Sequence, residues 1–125
     1  MSYFPFFREI EGEKCLVIGG GKVAARKISR LKGFGVNIKV VAPSIVSDIE
    51  AVVQACDNIS VERRIFTPQD IENVDFVIAA AGEEVDKEAA RLCKEKGIPV
   101  NVVDNQELCD FIFLSLIHIS EPTRR

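Results

Sequence analysis

The glycine-rich stretch at residues 19–24, GGGKVA, has the residue types and spacing needed to bind the phosphates of a nucleotide. It fits the pattern G-x-G-x-x-G/A, in which the first glycine allows a tight turn and the last small residue lets a helix pack closely on a sheet. Because Gly21 has no Cβ, a pyrophosphate could approach its backbone and meet the free N–H groups of a helix N-terminus. The alternative is a structural turn without a ligand. We expect Gly19, Gly20, Gly21 and Ala24 to form part of a dinucleotide-binding site.

The acid that often binds the ribose of NAD is missing from this sequence. Such an acid usually lies about 20 residues after the glycines, at the end of the second strand. Here that place is occupied by VVAPS, residues 40–44, which contains neither an acid nor an arginine for a 2′-phosphate. The ribose would then be held by backbone groups near Ala42 and Pro43 or by the Ser44 hydroxyl. This loop leaves the choice between NAD and NADP open.

Short apolar runs and amphipathic stretches alternate along the chain, which predicts strands with helices between them. We expect strands at 14–18, 37–41, 59–65 (nearer an edge), 75–81 and 98–103. We expect helices at 22–34 and 85–96, a third that starts at a capping box formed by Ser47 and Glu50, and a helical start at Thr67-Pro68.

This order of elements predicts an α/β fold of the Rossmann-like, doubly wound type, with a mainly parallel sheet in a single domain at 1–113. The ligand of such a sheet lies at the carboxyl ends of its strands. Besides the glycine turn and the 42–44 loop, those ends carry Ala80, Ala81 and Gly82 and, after the last strand, Asp104. We therefore expect these residues to meet around the ligand.

Composition excludes several other classes of function. The 125 residues carry a formal net charge of −3, so we expect no binding to nucleic acid. No apolar run approaches the roughly 20 residues that span a bilayer, and the start does not resemble a secretory signal, so we expect no membrane association. The four cysteines match no zinc pattern and no redox pair, which predicts buried thiols in a reducing, cytoplasmic environment and no metal site.

Residues 114–125, LSLIHISEPTRR, resemble a vector-encoded read-through, and we expect them to be a tail outside the domain. The single histidine, His118, lies in this tail. A histidine base, a Ser-His-Asp triad or a histidine-rich metal site is therefore not expected in the domain.

Five motifs together resemble the siroheme-synthase dehydrogenase family, whose members are precorrin-2 dehydrogenases. They are YFPFF at 3–7, VIGGGKVAARK at 17–27, VVAPS at 40–44, DFVIAAAGEE at 75–84 and NVVDNQELCDFIF at 101–113. Many families share the glycine motif, but its combination with Arg26-Lys27 and with NVVD followed by CDFIF is much more specific. The resemblance runs from about Tyr3 to Phe113.

The resemblance implies NAD-dependent dehydrogenation of precorrin-2 to sirohydrochlorin, and ferrochelatase activity in bifunctional members. It implies a catalytic role for Asp104, the aspartate of NVVD, although an aspartate after a strand can also simply cap its turn. It places Lys22, Val23, Pro43 and Ser44 along the dinucleotide. Family members continue beyond FIF into a dimerisation segment and a helical region, which implies a homodimer for the full-length protein.

Other interpretations stay open at several residues. Arg26 and Lys27 are expected on a solvated helix face, with attraction of the substrate's carboxylates as the alternative. Glu107 and Asp110 are expected to be solvated or capping. The competing function is a regulatory module that senses a nucleotide without redox chemistry; such modules usually keep the acid after the second strand, and its absence here favours the enzyme.

Overall fold

The computed structural model describes residue 2 and residues 4–113. The predicted tail at 114–125, with His118, and Tyr3 lie outside the described residues. Five strands form the sheet: β1 (Lys14–Ile18), β2 (Asn37–Val41), β3 (Ile59–Glu62), β4 (Phe76–Ala79) and β5 (Val100–Val102). Three α-helices connect them, α1 (Lys22–Leu31), α2 (Ser47–Ala55) and α3 (Glu83–Lys96), together with 3-10 turns at Lys32–Phe34, Pro68–Ile71 and Gln106–Leu108.

The strands lie in the order β3-β2-β1-β4-β5, and all four neighbouring pairs are parallel. In the centre of the sheet Cys15 is opposite Ile38 on one side and Phe76 on the other. The strand order reverses direction between β1 and β4, which is where ligands bind in doubly wound sheets. The Rossmann-like, parallel α/β prediction is confirmed.

Alternation along β1 divides the core between the two faces of the sheet. Cys15 and Val17 pack with the buried side chains of α1 and α2, whereas Leu16 and Ile18 pack with those of α3. All four are at most 1% exposed. Such burial on both faces explains why β1 is a continuous apolar run rather than an alternating one.

The predicted helix at 85–96 is α3, which begins two residues earlier and ends at residue 96 as expected, followed by Gly97 as its C-cap with a left-handed φ of 72°. Thr67 is the N-cap of the short turn at Pro68–Ile71, as its position before a proline predicts. Its N–H donates to Asp70 Oδ2 over 2.8 Å. The edge position predicted for the third strand is also confirmed, although β3 ends at Glu62 rather than at residue 65.

The predicted capping box at Ser47 is wrong. Val46 is the N-cap of α2, Ser47 is its first helical residue, and no side-chain hydrogen bond caps the helix. The cause is a tertiary contact: the Val46 N–H donates to Gly20 O over 2.9 Å, while the Val46 carbonyl accepts the first helical bonds. The Glu50 carboxylate instead accepts a hydrogen bond from Arg63 Nη2 over 2.8 Å.

Within the described residues, no helix combines the length and apolar character needed to cross a membrane. Nor do three or more His, Cys, Asp or Glu side chains converge in that part of the chain as metal ligands would.

Candidate functional site

The first two glycines of the turn allow neighbouring loops to approach one another. A Cβ on Gly19 would collide with the carbonyl oxygen of Ala80, and Gly19 also has a φ of 123°. A Cβ on Gly20 would collide with the carbonyl oxygen of Ser44. The absence of a Cβ at these two positions therefore lets the ends of β1, β2 and β4 pack closely. This packing is enough to require glycine there, with or without a ligand.

Gly21 differs from its neighbours because it faces open space. A Cβ built there would meet no atom within 4 Å, and the residue is exposed. The Ala25 N–H makes the first bond of α1, to Gly21 O over 3.0 Å. The N–H groups of residues 22–24 thus lie in the first turn of the helix, where they have no helical acceptor. A bare backbone beside an N-terminal turn is the arrangement that a phosphate group requires.

The remaining residues of the motif divide between packing and surface. Ala24 is fully buried, so it serves the close contact between helix and sheet rather than a ligand. The Lys22 side chain is exposed and lies with Arg26 and Asp48 beside a separate surface depression. Pro43 and Ser44 are exposed just after β2, next to the glycine turn.

A cavity of about 430 Å³ opens at the carboxyl ends of β4 and β5. Its lining brings together four predicted site residues from three separate segments of the chain: Val23, Ala80, Gly82 and Asp104. A Cβ on Gly82 would meet no atom within 4 Å, so this second open glycine adds to the free space of the cleft. Ala81 lies between two of these residues in the loop after β4.

Asp104 lies in the turn after β5 and is exposed. Its φ of 60° is in the left-handed region, where aspartate is one of the few non-glycine residues found regularly. The residue also lines a second cavity of about 400 Å³, together with Lys27, Asn101, Cys109 and Phe113. Asp104 therefore lines two cavities, of which only the first is also lined by Val23 at the start of α1.

The family model for NAD(P)-binding domains, NAD_binding_7, matches residues 6–115. The chain belongs to this NAD(P)-binding family. A siroheme synthase of Nitrosomonas eutropha is 41% identical over 118 residues, and so is one of Thioalkalivibrio sulfidiphilus. These matches cover 94% of this chain but only 25% and 24% of the relatives, so the chain spans about a quarter of their length.

A solved structure has the same fold as this NAD(P)-binding domain. The protein named "SirC, precorrin-2 dehydrogenase" matches with a TM-score of 0.73 over 90% of this chain and 55% of its own. The two sequences are 23% identical, so the likeness concerns the fold.

The residues present fit an NAD(P) dinucleotide. Gly21 leaves the space that a pyrophosphate would occupy, and the first turn of α1 supplies N–H donors to it. From there the cavity at Val23, Ala80 and Gly82 leads to the Asp104 carboxylate. A dinucleotide held by these residues would supply a hydride acceptor.

Sequence reasoning missed Asp86, a buried carboxylate in the wall of the same cavity. It is 4% exposed, and its Oδ1 accepts the Ala81 N–H over 2.9 Å, so it fixes the loop after β4. Burial raises the pKa of Asp86, while hydrogen bonds from the Ala81 and Gly82 backbone act in the opposite direction. The sequence feature that could have indicated its burial is its position three residues before Ala89, on the buried face of α3.

Glu107 and Asp110, which were expected to be solvated or capping, do not line the cavity that contains Val23 and Asp104. Asp110 Oδ2 accepts the Val100 N–H over 3.1 Å, and Asp110 Oδ1 lies 3.1 Å from Lys94 Nζ. Asp110 therefore caps the start of β5, in agreement with its prediction. Glu107 is exposed in the 3-10 turn at Gln106–Leu108.

Proposed function

We propose that this chain is the nucleotide-binding portion of an NAD-dependent precorrin-2 dehydrogenase that acts in siroheme biosynthesis. The observation that carries the proposal is that one cavity is lined both by Asp104 and by Val23, which lies at the start of α1, two residues after the bare backbone of Gly21. The names of the relatives, siroheme synthase and precorrin-2 dehydrogenase, supply the substrate.

Dehydrogenation removes a hydride and a proton from adjacent parts of the tetrapyrrole. With the hydride passing to the nicotinamide, the proton requires a base at the substrate. Asp104 is the candidate for this base because its carboxylate is exposed to both cavities. A positioned general base contributes about 10²–10⁴-fold to a rate.

We also propose that NAD is used in preference to NADP. The resemblance to the precorrin-2 dehydrogenases implies NAD, and the loop after β2, which has neither an acid nor an arginine, offers no partner for the 2′-phosphate of NADP. Titration of the chain with NADH and NADPH, followed by nucleotide fluorescence, should therefore give the lower Kd for NADH. Tighter binding of NADPH would overturn this preference.

The decisive experiment compares Asp104→Asn with Glu107→Gln in the longer protein that carries this domain. Asparagine also tolerates the left-handed backbone, so the first variant changes charge with little strain. We expect Asp104→Asn to lower precorrin-2 oxidation by about 100-fold or more while its Kd for NADH stays within about threefold. Glu107→Gln, the same chemical change on an exposed turn, should leave both quantities unaltered.

Two results would overturn the proposal. Unchanged turnover in Asp104→Asn would remove the assigned base. Tight binding of ADP or ATP without any oxidation of precorrin-2 would favour the nucleotide-sensing module.

The same preparations, given sirohydrochlorin and Fe²⁺, test the ferrochelatase activity that the family resemblance implies.

The proposed assembly is a homodimer in the cytoplasm. The four free cysteines suit a reducing compartment. The dimer follows from the family resemblance, and light scattering of the longer protein should give twice the monomer mass. A monomeric mass would exclude it.

A further inference from the structure

We propose that Lys27 binds a carboxylate of the substrate in the second cavity, on the side of Asp104 away from the cofactor. This inference rests on the proposed function, because it identifies how that site would recognise a polycarboxylate tetrapyrrole. It assigns to Lys27 a specificity role rather than the solvated position expected from its helix face.

The Lys27 ammonium is a half-buried cation that forms no salt bridge with a described residue, and the nearby Asp104 carboxylate attracts it only at longer range. None of the salt bridges in that part of the chain includes it, and its contact is with the Phe113 ring, whose centroid lies 4.2 Å from Nζ. Burial lowers the pKa of Lys27, the neighbouring charge of Arg30 lowers it further, and the Asp104 carboxylate acts in the opposite direction. A cation held in this way gains most from an anionic ligand that replaces its lost hydration.

Asn101 supplies an independent sign that the cavity receives a ligand. Its side chain is on β5, the residue is 4% exposed, and its Nδ2 donates to the Phe111 carbonyl over 2.8 Å. Its Oδ1 is buried and has no hydrogen-bond partner within the described part of the chain. Buried carbonyl oxygens are rarely left unpaired, so this oxygen suits an N–H donor on a bound molecule.

The two cavities meet at the turn that carries Asp104. Both are lined by Val102, Val103, Asp104 and Asn105; Val23 of α1 lines only the first cavity, and Lys27, one helical turn later, lines only the second. A ligand with a carboxylate on Lys27 and an N–H near Asn101 would therefore border the Asp104 carboxylate. A tetrapyrrole carries both groups on one ring system, which is why it fits this cavity better than a simple anion does.

The test is a binding titration of the full chain with uroporphyrin III, a stable tetrapyrrole with carboxylate side chains. Lys27→Met should weaken binding by about tenfold or more, because a charge-assisted hydrogen bond is lost. Lys27→Arg should retain most of the affinity. Lys32→Met is the matched control, because Lys32 is an exposed lysine just after α1. All three variants should bind NADH like the unaltered chain.

The salt dependence separates a charge contact from a packing role. Raising the ionic strength should weaken uroporphyrin binding in the unaltered chain and in Lys32→Met, but much less in Lys27→Met. Equal affinities and equal salt slopes in Lys27→Met and Lys32→Met would overturn the inference and leave the proposed function intact. A chain that binds NADH but no uroporphyrin would also overturn the inference, while the oxidation assay on the longer protein would still decide the proposed function.

Discussion

Two groups of charged residues, at opposite edges of the sheet, are arranged in opposite ways. Around β3 the charges are paired: Arg64 Nη1 lies 2.9 Å from Asp70 Oδ2, and Lys39 Nζ lies 3.0 Å from Glu62 Oε2. Beside β5, by contrast, the half-buried Lys27 and the Asp104 carboxylate form no ion pair with a described residue.

The difference separates charges that stabilise the fold from charges that are available to ligands. The Asp70 side chain is only 5% exposed, so its pairing with Arg64 removes the cost of a buried, unpaired carboxylate. Lys27 and Asp104 form no such salt bridge, and the open glycine Gly82 leaves free space in the cavity that Asp104 lines. Changes at the β3 edge should therefore alter stability, and changes at the other edge should alter binding.

The largest effect is expected from Gly21→Val. The branched side chain would fill the open space beside the first turn of α1, so the Kd for NADH should rise by about 100-fold or more. Because a φ of −90° suits any residue, the free energy of unfolding should fall by only about 1 kcal/mol, from the poorer N-cap. Fluorescence titration and chemical denaturation measure the two quantities.

Retained NADH affinity in that variant would place the phosphates elsewhere. Gly21→Ala provides the graded control, since a single methyl group should give an intermediate loss.

Asp70→Asn tests whether the paired charges at the β3 edge stabilise the fold. Removal of the charge weakens the contacts with Arg64 and the Thr67 N–H, so the free energy of unfolding at neutral pH should fall by about 1–2 kcal/mol. NADH affinity should not change. The measurement is urea denaturation, with titration of the cofactor as the control.

The pH dependence of this variant follows from the Arg64 hydrogen bond, which lowers the pKa of Asp70. Stability from a lowered carboxyl pKa is present above the ordinary value, about 4, and is lost as pH falls through the folded-state value. The difference between Asp70→Asn and the unaltered chain should therefore disappear at strongly acidic pH. A constant difference would show that packing, not charge, is responsible.

The smallest change in stability is expected from Asp86→Asn, which should stabilise the fold at neutral pH, whereas Asp70→Asn should destabilise it. Burial raises the pKa of Asp86, so its contribution to stability is present at acidic pH and is lost as pH rises through the folded-state value. Asparagine removes this titration and can still accept the Ala81 N–H. Relative to the unaltered chain, the variant should become more stable with rising pH, by less than about 1 kcal/mol at neutral pH.

Parallel denaturation curves at acidic and neutral pH measure that change. A variant that is less stable at neutral pH would show that the charged form of Asp86 is required by the loop after β4.

The central elements could be predicted because their signals are local. The runs at 14–18 and 37–41 are bounded by charge, glycine and turn residues, and β1 and β2 have the same bounds. The start of α1 follows from the glycine motif, and its buried face from the spacing of Ala24, Ile28 and Leu31.

The features that escaped prediction depend on contacts between distant segments. The start of α2 is decided by the Val46 N–H bonding to Gly20 O, which no local pattern of serine and glutamate reveals. The position of Asp86 in the cavity wall depends on its hydrogen bond with Ala81 in the loop after β4. The orientation of the Asn101 amide, which leaves its oxygen unpaired, depends on the hydrogen bond between its Nδ2 and the Phe111 carbonyl. Strand order brought Val23, Ala80, Gly82 and Asp104 together, as expected for carboxyl ends.

The hydrogen bond from Val46 to Gly20, together with the tight packing of Gly20 against Ser44, has a consequence for cofactor engineering. Insertions or deletions in the segment after β2 would displace the backbone at Gly20 and Gly21, where we propose that the phosphates bind. A switch in nucleotide preference is therefore best attempted by exchanging the exposed Ser44 side chain alone, at constant segment length.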